Sequence, residues 1–290
     1  MEQTTNFSHT GSIGDCHASI PAMREHYRKT GKKINLYLTA GIKAEYYDGA
    51  VHPTKNENGE QVMLNEAMIK MMIPLYKEQE FINDCKLDEG EKIDIDLGLI
   101  RDTFVNMPYG DLRKWYFYIY PDLACDLSKQ YIFVPDLDTD IAKGKIVVAR
   151  SERYRNDRID YSFLKPYEDD LVFSGTMREY NNFCMQFDLN IRKLNITDFL
   201  QLAQILKQSR GLIANQTMIT QIAEGLKIPR IVELCSFAPN VYLVGENAYE
   251  FYAQQGLEYY FHVLNGTVDK YFETLKAAQV NEQLLKKDNG

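Results

Sequence analysis

Three short segments carry residues whose types and spacing suit chemistry on an anionic, hydroxyl-bearing ligand. The first is His9-Thr10-Gly11-Ser12-Ile13-Gly14-Asp15, a glycine turn between a strand and a helix. Backbone amides at Gly11, Ser12 and Gly14 can approach an anion there, and the helix terminus favours negative charge. An acid in such a turn has two readings: Asp15 caps the helix, or its carboxylate takes a proton from a hydroxyl. The second is the basic run Arg150-Ser151-Glu152-Arg153-Tyr154-Arg155-Asn156-Asp157-Arg158, which begins where an apolar strand ends. The forks of Arg150, Arg153, Arg155 and Arg158 suit bidentate phosphate contacts, whereas Glu152 and Asp157 also allow a merely solvated loop. The third is Asn215-Gln216-Thr217-Met218, a polar turn that opens a helix. Amides at Thr217 and Met218, with the Thr217 hydroxyl, would face a diphosphate; a routine turn capped by Asn or Thr is the plain alternative.

Other chemistries find less support. The glycine turn is neither the dinucleotide G-x-G-x-x-G nor the P-loop, so dehydrogenase and ATPase readings lose their usual basis. Asp94-Ile95-Asp96, Asp136-Leu137-Asp138 and Asp138-Thr139-Asp140 have the D-x-D spacing of metal-dependent transferases, yet read as an alternating strand and a linker. The five cysteines form no C-x-x-C pair, which points to reduced structural thiols and to neither a disulfide framework nor a zinc site. A net charge of −8 works against non-specific attraction to nucleic-acid backbones.

The elements that must position these groups follow from periodicity. Thr4–His9 reads as a strand, Ser19–Tyr27 as a helix with Pro21 in its first turn, and Lys33–Leu38 as a strand. Gly41–Gly59 reads as loop, Leu64–Tyr76 as a Met-rich helix with Met68, Met71 and Met72 as core filler, and Lys92–Leu97 as a strand with one wet face. Residues 99–135 yield no clear elements; the aromatic run Trp115–Tyr120 is core or a ligand-facing wall. Beyond the polar stretch Asp136–Lys143, strands at Ile146–Ala149, Asp170–Ser174, Gly211–Ala214 and Arg230–Leu234 alternate with helices at Ile196–Ser209 and Met218–Leu226, the βαβ period. A final helix over Val268–Lys286 carries an apolar stripe of Leu275, Ala278, Leu284 and Leu285, and the last residues, Lys286–Gly290, are expected to fray.

Together, these segments resemble glycosyltransferase family 9, the ADP-heptose:lipopolysaccharide heptosyltransferases and their relatives. The similarity runs from Gly11 to about Leu38 and from Ile146 to about Leu234. The family's S-x-G-D turn, followed by a helix with a Pro-Ala pair, is matched by Ser12-Ile13-Gly14-Asp15 and Pro21-Ala22. The resemblance implies that Asp15 is the general base. The family's second signature, an acid-Thr-Gly turn and a helix ending ahead of a Pro-marked strand, is matched at Thr217, Ala223, Leu226 and Pro229. Gln216 replaces the usual Asp, Met218 the usual Gly and Gln221 the usual His, so the donor contacts are expected to differ from those for ADP-heptose. A family Lys beyond the first C-terminal strand has no clear counterpart, and Arg153, Arg155 or Arg158 is expected to supply its charge. Enzymes of the GT-B type often set a carboxylate against the ribose, a role the resemblance assigns to Glu233. Ser174 and Gly175 are counted among the donor contacts with it.

The expectation is an α/β chain of the GT-B type, two Rossmann-like doubly wound domains facing a cleft. Residues 1–140 would form the acceptor side and residues 141–290 the nucleotide-sugar side, with the final helix able to pack back on the first domain. The expected activity is metal-independent, inverting transfer of a sugar from a nucleotide sugar to a saccharide or other hydroxyl acceptor, with no cofactor. Two alternatives stand beside it: transfer to hydroxylated DNA bases, with the patch Arg24–Lys33 on the backbone, and a nucleotide-sugar sensor without turnover. Residues 1–8 lack the pattern of a signal peptide and no apolar run is long enough to span a bilayer, so a cytoplasmic protein is expected.

Overall fold

Strands whose residues are apolar throughout belong in the middle of a parallel sheet, buried on both faces. In the computed structural model, which describes residues 3–288, this holds for the fully buried runs after residue 145. The chain opens with β1 (Thr4–His9), α1 (Ile13–Ala18), α2 (Ile20–Thr30) and β2 (Lys33–Leu38). It continues through α3 (Glu66–Lys77), β3 (Ile82–Leu87), β4 (Ile95–Asp96) and α4 (Leu112–Ile119). These strands make a four-stranded parallel sheet in the order β3-β2-β1-β4.

The second sheet has six parallel strands in the order β10-β9-β8-β5-β6-β7. Its elements are β5 (Ile146–Ala149), β6 (Leu171–Phe173), α5 (Met177–Phe187), β7 (Arg192–Lys193), α6 (Phe199–Gln208) and β8 (Gly211–Asn215). They are followed by α7 (Met218–Leu226), β9 (Arg230–Glu233), β10 (Ala248–Phe251), α8 (Gln254–Asn265) and α9 (Val268–Asp288). Alternation along β5 sends Val147 and Ala149 to one face and Ile146 and Val148 to the other.

The first of those faces joins the two sheets. One buried cluster holds Phe7, Leu36 and Trp115 together with Val147, Leu202 and Leu212, where α1 packs on α7 and α3 on α6. Helix α7 is therefore buried from Ile219 to Leu226. Gly225 is the close approach: a Cβ there would stand 2.4 Å from Ile132 Cδ1, and the amides of Tyr131 and Ile132 both donate to its carbonyl. A buried charge lock fastens the same seam. Arg113 on α4 bonds Glu224 on α7 and, at 2.7 Å, Asp111, while Arg230 also donates to Glu224.

Several elements differ from the sequence reading. Strand β3 escaped it because Asn83, Asp84 and Lys86 break the apolar pattern at the sheet edge. The strand expected over Lys92–Leu97 shrinks to Ile95–Asp96, because the Asp96 side chain accepts from Gly98 N at 2.8 Å and starts a 3-10 turn. Likewise, Asp198 caps α6 through Gln201 N, so that helix starts at Phe199. Helix α4 forms within the unassigned stretch, with Trp115 and Tyr116 in the core and Tyr118 exposed. Met72 is core, whereas Met68 and Met71 border a cavity. The described part of α9 packs on α8 through Tyr271, Tyr259 and His262, and Leu275 is exposed. The side chains of Ala278, Leu284 and Leu285, and residues Asn289 and Gly290, lie outside the described residues. Among the described residues no helix is long and apolar enough to cross a membrane.

Candidate active site

A cavity of about 760 Å³ opens at the carboxyl ends of both sheets. One wall is built by the turn after β1, by the β2–α3 connection and by the 3-10 turn that follows β4. The other is built by the turns after β5, β6, β7 and β8. Ligands of open parallel sheets bind at this end, where the turns leave helix termini and loop side chains free to converge.

On the first wall Asp15 is nearly buried. Its Oδ2 accepts from Ser12 N at 2.9 Å and from the Arg101 guanidinium. Burial pushes its pKa up, but the charge and hydrogen bond of Arg101 outweigh that and hold it below the ordinary carboxylate value. Asp15 thus caps α1 through Oδ2, while Oδ1 has no hydrogen-bond partner among the described residues. Behind it, Gly11 N donates to His9 Nδ1 at 2.9 Å, so His9 carries its proton on Nε2 and donates to Tyr116 Oη, 2.8 Å away. Tyr116 in turn donates to the Asp15 carbonyl at 2.7 Å. Burial holds His9 neutral, with its pKa lowered to about 4. Gly11 itself does not border the cavity; a Cβ there would meet His9 Cε1 at 2.7 Å and Asp15 Cβ at 2.8 Å. Its lack of a side chain serves packing of this turn.

The second wall divides the expected donor residues. Ser151, Arg153, Ser174, Gly175, Gln216, Thr217 and Met218 border the cavity, as do Ser12, Gly14 and Arg150. Arg155, Arg158, Asn215 and Glu233 do not. Glu233 is fully buried and its oxygens are taken: Arg150 donates Nε and Nη2 at 2.9 and 3.0 Å, Tyr161 Oη donates at 2.7 Å, and Asn156 N donates as well. The carboxylate expected against a ribose instead folds the loop after β5, and the Arg150 guanidinium is spent on it. Arg155 pairs with Asp157, and Arg158 points to solvent. Asn215 holds the same loop, accepting from Ser151 N at 2.9 Å and donating to the Arg153 carbonyl at 2.7 Å. Gln216 lines the cavity, yet its amide group is used on Ala238 O, Asn240 Oδ1 and Cys235 N.

What remains free on this wall is more selective than the sequence pattern. Among the described residues bordering the cavity, Arg153 and Lys193 are the cations without a carboxylate in ion-pair range; Arg101 has Asp15 and Arg150 has Glu233. Lys193, at the end of β7, was missed by sequence reasoning because that two-residue strand has no apolar signature. Two helix N termini reach the cavity. At α5 the end is closed, since Thr176 caps Glu179 N and the Glu179 carboxylate accepts from Thr176 N at 2.8 Å. At α7 the N-cap Thr217 makes no side-chain capping bond among the described residues, so the helix dipole at this end, which borders the cavity, is not offset by a cap. Gln221, one turn further along, is buried with an unpartnered Oε1.

The walls also touch. Arg153 lies 4.3 Å over the Tyr46 ring, and Tyr47 packs against Tyr154 and Phe237. No group of three or more His, Cys, Asp or Glu side chains able to hold a metal occurs among the described residues.

No protein-family model matches the sequence, and no curated protein is similar to it in sequence. Solved structures do match. A glycosyl transferase of family 9 from Veillonella parvula DSM 2008 is similar at a TM-score of 0.56 and 11% identity, over 89% of each chain. The E. coli heptosyltransferase WaaC with ADP is similar at 0.57 and 9% identity, over 90% of this chain and 100% of that one. The dodecameric iron-containing heptosyltransferase TibC of enterotoxigenic E. coli, in complex with ADP-D-beta-D-heptose, is similar at 0.56 and 11% identity, over 88% and 64%. At such identities the likeness shows the fold: this chain has the α/β architecture of the GT-B heptosyltransferases, as the family 9 motifs implied. The residues here do not fit an iron centre of the kind named for TibC, because no set of metal donors converges among those described.

Proposed function

We propose that the chain is a glycosyltransferase that moves a sugar from a nucleotide-sugar donor to a hydroxyl acceptor, with inversion and without a metal ion. The observation that carries this reading is the opposition across one cavity of the Asp15 carboxylate and a second wall that carries Arg153, Lys193 and the α7 terminus. We take residues 1–140 as the acceptor-side domain and residues 141–290 as the nucleotide-sugar domain. The diphosphate lies against the amides of Thr217 and Met218, and Arg153 and Lys193 match its charge. The neighbours named with ADP and ADP-D-beta-D-heptose support a nucleotide-sugar donor.

In the reaction Asp15 Oδ1 takes the proton of the acceptor hydroxyl as that oxygen attacks the anomeric carbon. The bond to the diphosphate breaks on the opposite face, and its electron pair leaves on the phosphate oxygen, where cations and amides already point. Arg101 keeps the carboxylate ionised at neutral pH by disfavouring its protonated form. A saccharide acceptor is favoured over duplex DNA because the net charge is −8 and part of the basic patch is neutralised locally, Arg28 and Lys29 sharing Glu25.

A thermal-shift panel of nucleoside diphosphates and nucleotide sugars tests the reading, since a bound donor raises the melting temperature with the logarithm of its concentration. At least one shift is expected. A flat panel removes the donor site, and donor binding with no transfer by the unaltered chain favours the sensor alternative.

A further inference from the structure

The transfer chemistry leaves one stretch of the wall unused, the connection between β2 and α3. It is a braced excursion: Gly41 N donates to Leu64 O at 2.9 Å, Met63 N to Ile42 O at 2.8 Å and Ala44 N to Gln61 O at 3.0 Å. The brace presents Tyr46, Tyr47 and His52 to the cavity. His52 is 4% exposed, and its ring centre stands 4.9 Å from that of Tyr46.

Hydrogen bonding fixes the tautomer. His52 Nε2 lies 2.7 Å from the Val62 carbonyl, which can only accept, so Nε2 carries the proton and Nδ1 a bare lone pair. That Nδ1 is buried and has no hydrogen-bond partner among the described residues. It can be satisfied only by a donor such as a hydroxyl. The oxygens of a phosphate or carboxylate cannot satisfy it while the ring stays neutral. Burial, reinforced by the Arg153 charge, holds the ring neutral at pH 7 by lowering its pKa to about 4.

The charges of the same wall agree. Its charged residues along the cavity are Asp15, Glu45 and Arg101, and Arg101 is bound to Asp15. Among the described residues Arg101 is the cation this wall itself brings to the cavity; its charge is paired with Asp15, and only its Nε–H lacks a partner.

We propose that this wall takes an uncharged polyhydroxylated acceptor, a neutral sugar or glycoside, one hydroxyl of which donates to His52 Nδ1 while Tyr46 and Tyr47 cover an apolar face of the ring. The inference rests on the transferase reading and narrows its acceptor. Phosphorylated and carboxylated sugars are rejected, because they would meet Asp15 and Glu45 while Arg153, the free cation that reaches this wall over Tyr46, is engaged by the diphosphate.

The test is ligand-observed NMR on the full chain, alone and with ADP, UDP or GDP. Methyl glycosides of glucose, galactose, mannose and N-acetylglucosamine are compared with glucose 6-phosphate, mannose 6-phosphate, glucuronate and galacturonate. At least one neutral glycoside should bind about tenfold or more tightly than the anionic sugars. The variant His52→Gln keeps an N–H for the Val62 carbonyl and takes the acceptor out of the Nδ1 position, since its carbonyl oxygen sits elsewhere on a non-aromatic chain. It should weaken that glycoside about tenfold and leave nucleoside diphosphate binding unchanged. Tighter binding of the anionic sugars, no binding of any neutral one, or an unchanged affinity in a folded His52→Gln protein overturns the proposal. The comparison on the unaltered chain decides even where the variant does not fold. Sugars failing while a nucleoside diphosphate binds sinks the acceptor class alone; the diphosphates failing sinks the transferase reading with it.

Discussion

The two walls of the cavity are made by the same kind of element, the turn at the carboxyl end of a parallel strand, yet they differ in what they leave unpaired. On the wall after β1, the carboxylate and the guanidinium neutralise each other, and the unpartnered groups among the described residues include one Asp15 oxygen, the His52 Nδ1 lone pair and the Arg101 Nε–H. On the wall after β5 to β8, two cations and a helix terminus have no counter-charge. Similar folds can therefore build a neutral pocket and an anion pocket face to face. The difference lies in which ion pairs close within each wall.

The sharpest way to break the comparison is Asp15→Asn. Turnover should fall about a thousandfold, while nucleoside diphosphate affinity stays within about twofold; loss of both together would mean that Asp15 serves the fold and not the proton. The walls are held in register by the lock at the seam, so Arg113→Ala should cost about 3–5 kcal/mol in unfolding free energy, read by urea denaturation, because it leaves Glu224 and Asp111 buried with fewer partners. A cost below about 1 kcal/mol would separate the walls energetically. Next in size are Arg153→Ala and Lys193→Ala, each expected to weaken nucleoside diphosphate binding about tenfold by calorimetry. Arg155→Ala and Arg158→Ala, outside the cavity, should change it by less than about twofold.

A further effect is one of pH. His9, His17 and His52 all lie in the first half, and burial lowers their pKa values from 6.5 to about 4, about 3 and about 4. The unfolded chain thus takes up protons first as the pH falls. Their contribution is intact above pH 6.5 and declines below it toward the folded values, by on the order of 1 kcal/mol per pH unit for each histidine. Hydrogen exchange at pH 5.5 should show β1 and β2 opening before β8 and β9. Equal protection in the two sheets would contradict neutral burial.

Much of this architecture was legible because it is local. Lys33–Leu38 and Met218–Leu226 form as read, since strand and helix periods are written in neighbouring residues. The turn at Asn215–Met218 was legible for the same reason, whereas the stretch read as a turn over Gly11–Asp15 becomes helix α1 from Ile13 onward. Strand β3, β7 and helix α4 were not, because their polar residues are tolerated only at a sheet edge or in a seam that other elements create. Arg101 had no local signal at all. Its importance comes from arriving, by way of the turn after β4, beside a carboxylate from the turn after β1.

By itself the sequence determined the parallel α/β architecture, the turn that follows β8 and the place of Asp15 near the head of a helix, since backbone hydrogen bonding and capping are settled within a few residues. Only the tertiary structure decided which charges are free. Glu233 and Arg150 cancel each other, Arg101 steadies Asp15, and Arg153 and Lys193 remain open. Ion pairing depends on which strand ends meet in space, and burial makes each pairing nearly exclusive, because a desolvated charge must take whatever partner the fold brings within reach.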